Sequence, residues 1–377
     1  MSSYQAPGVY SKIKTNKQQT IESAGTGVCG FIGQISEGPE QKATLVTTWA
    51  EYQKKFGGLE AGGVLARSVY GYFLNGGGKA YIVNVGAPKE GQTEEEVVAL
   101  IQGEDKGPGR RSGLALFKPV DDINLVAAPG QTSQIAHRII ADHASECGNR
   151  MAILDGPEEL GETSLEEFPR LSACDDAALY WPWIEVFDSN LKKTVMVPPS
   201  GHIAGCISRV DSTRGVHKAP ANEVIRGAVG LKYSLTREEQ SLLNPRGINL
   251  VRDLDDLGIR IYGARTLSDS KEWRYVNIRR LFLDVKQAIT KGTEWVVFEP
   301  NNQRLWSKIE LSVRSYLKGL YKKGAFQGTT PEEGFYVACN QETNTPEDLE
   351  NGVVNVEIGI APVKPAEFVS ISLQQKL

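Results

Sequence analysis

Each end of this chain reads as a lone β-strand, and a strand without a companion is the hardest feature to accommodate, because every backbone N–H and C=O needs a hydrogen-bonding partner. After Pro7-Gly8, the residues Val9, Ser11, Ile13 and Thr15 alternate with Tyr10, Lys12 and Lys14. The far end repeats the pattern more strongly: Val369, Ile371 and Leu373 alternate with Phe368, Ser370 and Ser372.

Composition narrows the class of protein. At roughly 150 residues per domain, 377 residues allow two or three domains. With 23% charged and 40% hydrophobic residues, the chain has the balance of a globular protein rather than a disordered tail. No run approaches the roughly 18 apolar residues of a membrane span, and the opening lacks a basic-then-apolar signal pattern, so a cytosolic protein is expected. Cys29, Cys147, Cys174, Cys206 and Cys339 form no CxxC and no pairing framework, which points to free thiols. A net charge of -4 gives no global attraction to nucleic acid or anionic lipid.

Between the ends the pattern is α/β (α+β). A glycine-rich strand is expected over 28–33, then a helix that opens at Thr48-Trp49-Ala50-Glu51 and stops at Gly57-Gly58. A second helix turns Val64, Leu65, Ser68, Val69, Tyr72 and Phe73 inward and ends at Asn75-Gly-Gly-Gly, feeding a strand over 80–85. Weak patterning over 93–119 sets a boundary near residue 90. A strand over 122–127, a helix over 133–147 and a strand over 150–154 make one βαβ crossover. Further strands are expected over 179–187 and 194–197, followed by a long connector without periodicity over 198–222. Helices over 277–290 and 303–323 and strands over 294–298, 335–339 and 353–360 complete the series.

The chemical motifs argue against catalysis. Asn75-Gly-Gly-Gly-Lys79 fails the phosphate-loop spacing, because Phe73 and Ala80 stand where glycine and Ser or Thr are needed. His137, His143 and Cys147 lack a third ligand on one helix face, so surface or half-buried positions are expected for them and no metal. Ser200 and His202, separated by one residue, have no GxSxG elbow. The adjacent acids Asp121-Asp122, Asp175-Asp176 and Asp255-Asp256 point apart and read as solvated turns. No catalytic, cofactor-binding or metal-ligating residue is expected.

One surface rises above background. Between Asn302 and Gly324 stand six cations and the single anion Glu310. At 100° per residue, Arg304, Lys308, Arg314, Lys318 and Lys322 fall within about a third of the circumference, opposite Leu305, Ile309, Val313, Tyr316, Leu317 and Leu320. The stripe reads as short of the acids at i,i+4 that usually neutralise such a face, so an acidic protein surface is the expected partner.

Several strings resemble the tail sheath proteins of contractile phages and phage-like injection particles. They are Tyr-Gln-Ala-Pro-Gly-Val-Tyr (4–10), Pro-Pro-Ser-Gly-His-Ile-Ala-Gly (198–205), Arg-Gly-Val-His-Lys-Ala-Pro-Ala-Asn (214–222), Gly-Ala-Arg-Thr-Leu-Ser (263–268), Glu-Trp-Arg-Tyr-Val-Asn-Ile-Arg-Arg-Leu (272–281) and Trp-Val-Val-Phe-Glu-Pro-Asn (295–301). Thr-Asn-Thr-Pro-Glu-Asp (343–348) and Ala-Pro-Val-Lys-Pro-Ala-Glu-Phe (361–368) extend the likeness nearly end to end, weakest over about 90–190.

The resemblance implies a structural subunit, not an enzyme, that stacks in hexameric rings or helical strands around an inner tube and contracts without a cofactor. It implies an N-terminal arm (1–22), a core domain built from 23–90 and 235–362, an inserted outer α/β domain (91–234) and a C-terminal strand arm (363–377). The inter-subunit strands map onto Val9, Tyr10, Ser11, Lys12, Ile13 and Lys14 and onto Phe368, Val369, Ser370, Ile371, Ser372 and Leu373. The implied partners are other copies of the chain, the tube, and baseplate and cap proteins, with no nucleic acid and no membrane insertion. A minor sheath paralogue at one end of the particle and an α/β enzyme are the competing readings.

Overall fold

The computed structural model describes residues 21, 25, 27–170 and 173–367. In chain order the first strands and helices are β1 (Cys29–Gly33), β2 (Thr44–Val46), α1 (Trp49–Phe56), α2 (Leu59–Leu74), β3 (Ala80–Asn84), α3 (Glu94–Gln102), β4 (Leu125–Ala127), α4 (Gln134–Cys147), β5 (Met151–Asp155) and β6 (Ala177–Trp181). There follow β7 (Ile184–Asp188), β8 (Lys193–Val197), α5 (Ser200–Thr213), β9 (Glu223–Val224), β10 (Ala228–Leu231), α6 (Arg237–Leu243), β11 (Ile248–Asp253) and β12 (Ile259–Tyr262). The last third holds α7 (Val276–Thr293), α8 (Gln303–Lys322), α9 (Pro331–Gly334), β13 (Phe335–Ala338), α10 (Pro346–Glu350) and β14 (Glu357–Ile360).

A nine-stranded sheet runs β2-β3-β1-β4-β5-β6-β11-β12-β9, parallel from β3 to β11 and antiparallel at both edges. Its inner strands are apolar almost throughout, as strands covered on both faces must be. Alternation sends Phe31, Ile82, Leu125 and Ile153 into one buried layer with α1, α2 and α5, and Ile32, Val83, Val126 and Leu154 into the other with α4. A third cluster joins α7, α8, β13 and β14 around Leu281, Ile309, Val313, Leu317, Phe335 and Val337.

The large sheet crosses both boundaries expected inside the chain. Cys29 of β1 pairs with Ala80 on one side and with Leu125 on the other, so 23–90 and the expected insertion share one ladder. Likewise β6 pairs with β11, joining 91–234 to the stretch that begins at 235.

Local starts and stops follow their signals. Thr48 caps α1 by accepting from the Glu51 N–H, and Gly57 ends it at φ 76°. Ser133 caps α4, and the expected βαβ unit forms with β4 parallel to β5. Five expectations differ. The single strand over 179–187 is two strands in different sheets, parted at Pro182, which has no N–H for the ladder. The segment 294–298 is a 3₁₀ turn (Glu294–Val296) in which Trp295 and Val296 pack inward while Val297 and Phe298 face solvent, so it lacks a strand's alternation. Val64 is exposed beside a kink at Gly63, where φ is 50°. His137 and His143 are buried rather than superficial.

The largest difference is α5, which occupies the expected connector. It is buried continuously from Ser200 to Ser208, so it presents no polar face and therefore no helical periodicity to read. Its glycines let it lie directly against α2. A Cβ on Gly201 would come 2.3 Å from Ser68 O, and one on Gly205 would come 2.4 Å from Tyr72 O. In return Gly71 of α2 leaves room for the His202 ring. From its far end, Asp211 forms a two-pronged ion pair with Arg280 of α7, at 2.8 and 2.5 Å, inside the protein. Gly201→Ala is expected to destabilise the subunit by about 1–3 kcal/mol, read as a lower urea midpoint; an unchanged midpoint would show that α2 and α5 are not held at this distance.

Candidate assembly surfaces

The two-stranded ladder of β13 and β14 has a readable hydrogen-bond phase. The strands are antiparallel with Tyr336 opposite Gly359, and the Ala361 N–H donates to Gly334 O at 2.8 Å. Pairing therefore alternates so that Tyr336 and Ala338 bond to Gly359 and Glu357, while Phe335, Val337, Ile358 and Ile360 turn their backbone groups outward. On β14 the outward N–H and C=O of Ile358 and Ile360 have no partner among the described residues. Their side chains are half-buried against the third cluster. On β13 the outer edge is partly occupied, because the Phe335 N–H donates to Pro331 O of α9 and Val337 O accepts from Arg314 Nη2 at 3.2 Å.

The basic stripe lies where the sequence places it. Arg304, Lys308, Arg314, Lys318 and Lys322 are all exposed on α8, while Leu305, Ile309, Val313 and Leu317 are buried at four-residue intervals. Arg314 departs from expectation: Glu310, one turn earlier, pairs with it at 3.0 Å, so this cation has an i,i+4 acid after all. Arg304, Lys308, Lys318 and Lys322 form no ion pair among the described residues.

The expected inter-subunit strands, Val9–Lys14 and Phe368–Leu373, lie outside the described residues. The body is described up to their approaches. Ile21 is buried against Gly292 of α7, where a Cβ would collide with it. At the other end Glu367 is clamped: Arg265 Nε and Nη2 donate to its two oxygens at 2.8 and 2.7 Å, Asn244 Nδ2 at 2.9 Å and the Tyr275 hydroxyl at 3.1 Å. Burial pushes this carboxyl up, but the bonds from Arg265 and Asn244 outweigh it and hold the group below its ordinary value. The clamp was missed by motif reasoning. Its signal lay in the strings 263–268, 272–281 and 361–368, which supply Arg265, Tyr275 and Glu367.

The polar residues weighed for chemistry hold structure instead. The buried Asp155 carboxylate caps α5 by accepting from the Ser200 N–H and hydroxyl, both at 2.8 Å, and also accepts from the Gly130 N–H. Burial raises its pKa to about 6. His202 lies away against Gly71, with its pKa lowered to about 4 by burial. His143 is lowered to about 3 by burial and by the neighbouring Arg150, whose guanidinium donates to Phe117 O and Val120 O. Lys79 pairs with Asp122, and buried Asn75 accepts from the Arg226 N–H, so Asn75–Lys79 is a fixed turn.

Two family comparisons cover adjoining parts of the chain. Residues 114–267 match the phage tail sheath protein central domain and residues 268–376 the phage tail sheath C-terminal domain. The chain belongs to the contractile tail sheath family. A prophage major tail sheath protein of Pseudomonas aeruginosa is 28% identical over 300 residues, spanning 77% of this chain and 75% of that one. The sheath protein of Vibrio phage KVP40 is 25% identical over 49% of this chain but only 27% of its own length.

Among solved structures, a chain of the anti-feeding prophage baseplate gives a TM-score of 0.76 at 27% identity, with all of both chains covered. A chain of the PVC extracellular contractile injection system sheath, in its contracted state, gives 0.76 at 28%, covering 100% of this chain and 99% of that one. This sheath subunit is thus a structural component of a phage tail or a phage-like particle.

The three buried histidines, His137, His143 and His202, set a pH dependence, burial lowering the pKa of each. Each has a folded pKa below the ordinary value near 6.5, so each contributes stability present above about pH 6.5 and lost as pH falls toward its folded value. Asp155, raised to about 6, acts oppositely and gains stability on acidification below that value. The histidine protons outnumber the one on Asp155 and leave a net loss between about pH 6 and 4. His202→Asn is expected to reduce the slope of stability against pH by about 1.4 kcal/mol per unit there, measured by urea unfolding at pH 7, 6 and 5; an unchanged slope would contradict a neutral buried His202.

Proposed function

We propose that the subunit polymerises around an inner tube, in hexameric rings or helical strands, through terminal arms that add strands to the ladders of neighbouring copies. The observation that carries this reading is the open edge of β14. The ladder packs on α7 and α8, and the outward backbone groups of Ile358 and Ile360, which have no partner among the described residues, lie beside that apolar cluster. A third strand would gain bonds there and cover part of it. The donors are Val9–Lys14 and Phe368–Leu373, and the clamp on Glu367 would fix the point from which the second arm departs. Different patches meet in such a contact, so the polymer is open-ended.

Arg304, Lys308, Arg314, Lys318 and Lys322 grip an acidic surface of the tube. The stretches 23–90 and 235–362 face the tube and 91–234 faces outward. Assembly takes place in the cytoplasm on a baseplate and ends at a cap. The subunit carries out no catalysis: free energy stored in the extended state drives contraction to a shorter, wider sheath, which pushes the tube through a target membrane.

A chain lacking 368–377 is expected to remain as discrete small species, and long hollow polymers of that variant in negative stain would overturn the arm reading. Lys318→Glu with Lys322→Glu is expected to reduce tube-bound extended sheath in micrographs of assembled particles, whereas unchanged decoration of the tube would remove the stripe from that role.

A further inference from the structure

The proposed grip counts Arg314 among the cations that face the tube, yet its bonding sets it apart from the other four. Its Nη2 donates both to Glu310 Oε1 at 3.0 Å and to Val337 O at 3.2 Å. The hydrogen-bond phase of the ladder turns that carbonyl outward, away from β14. It is therefore one of the acceptors that a strand added to β13 would need. The second outward group on this edge to be occupied is the Phe335 N–H, held by α9. Nothing among the described residues occupies the matching groups of β14.

We infer that Arg314 guards the outer edge of β13 against strand addition, with Glu310 holding the guanidinium in place, so that the two edges of one ladder differ in readiness: β14 accepts a strand from a second copy at once, and β13 only after Arg314 swings away. Charged side chains at strand edges are a general means of preventing unwanted pairing, and here the charge sits on the flanking helix. Because the Arg314 side chain is exposed, breaking this charged bond is expected to shift the equilibrium only about three- to tenfold. That is small enough for assembly to overcome and large enough to order two additions in sequence. The inference rests on the strand-addition reading, and it takes Arg314 out of the tube-gripping stripe.

The test uses full-length subunits without tube or baseplate, comparing the unaltered chain with Arg314→Met, a charge control Lys323→Met, and Arg314→Met lacking 368–377. The threshold concentration for polymerisation is read by light scattering with negative stain, and urea midpoints verify folding. Arg314→Met is expected to lower the threshold about three- to tenfold, Lys323→Met to leave it unlowered, and the shortened variant not to polymerise. An Arg314→Met threshold that is unchanged or raised, with the shortened variant still unable to polymerise, overturns the guard and leaves strand addition standing. Equal lowering by Lys323→Met overturns it too, because charge rather than the edge bond would then be responsible. Polymerisation of the shortened variant would sink strand addition and the guard together.

Discussion

A row of backbone groups that finds no partner in its own described body is the constraint on which this molecule turns. Ile358 and Ile360 hold half-buried side chains against the third cluster while their outward N–H and C=O groups remain open. Burying them without partners would cost more than the apolar contact returns, and leaving them in water forgoes the ladder bonds that a further strand would make. A strand from a neighbouring copy would resolve both difficulties at once. The rest of the chain presents this edge on a tightly packed support.

That support is finished in every respect in which the ladder is not. The nine-stranded sheet ends on β2 with three residues and on β9 with two, and edges so short offer little template for further pairing. Both of its faces are covered. Helix α5 is pressed onto α2 through glycines, capped by buried Asp155 and tied to α7 by Arg280–Asp211. Arg279 of α7 pairs with Asp176, next to β6, and stacks over Trp273. The paired arginines of the 272–281 string thus fasten α7 to the sheet and to α5, so a load on the third cluster passes into the large core.

Much of this was legible because local chemistry and periodicity agree. The caps at Thr48 and Ser133, the βαβ unit and the amphipathic α8 all announce themselves through residues a few positions apart. What was hidden is what burial or distance hides. Helix α5 has no polar face, so its sequence has no period to detect. The segment 294–298 carries enough apolar residues for a strand, but two of them turn to solvent and Phe298 takes a left-handed backbone, with φ 69°. The boundary near residue 90 was drawn from weak patterning, whereas strand pairing between β1 and β4 depends on residues nearly a hundred positions apart. Arg314 was counted as an unneutralised cation although Glu310, four residues earlier, was legible in the sequence; only its second partner, Val337 O, required the structure.

The terminal arms were read from alternation alone, and the acceptor edge required the structure, so the two halves of the account can be compared independently at one place. Backbone amide hydrogen exchange at Ile358 and Ile360 makes that comparison most directly, in free subunits below the polymerisation threshold and in assembled sheath. Exchange close to that of an unprotected chain in the subunit, slowed at least about a hundredfold on assembly, is the predicted result. Equal protection of these two amides in both states would contradict it, because the edge would then be closed by the subunit itself.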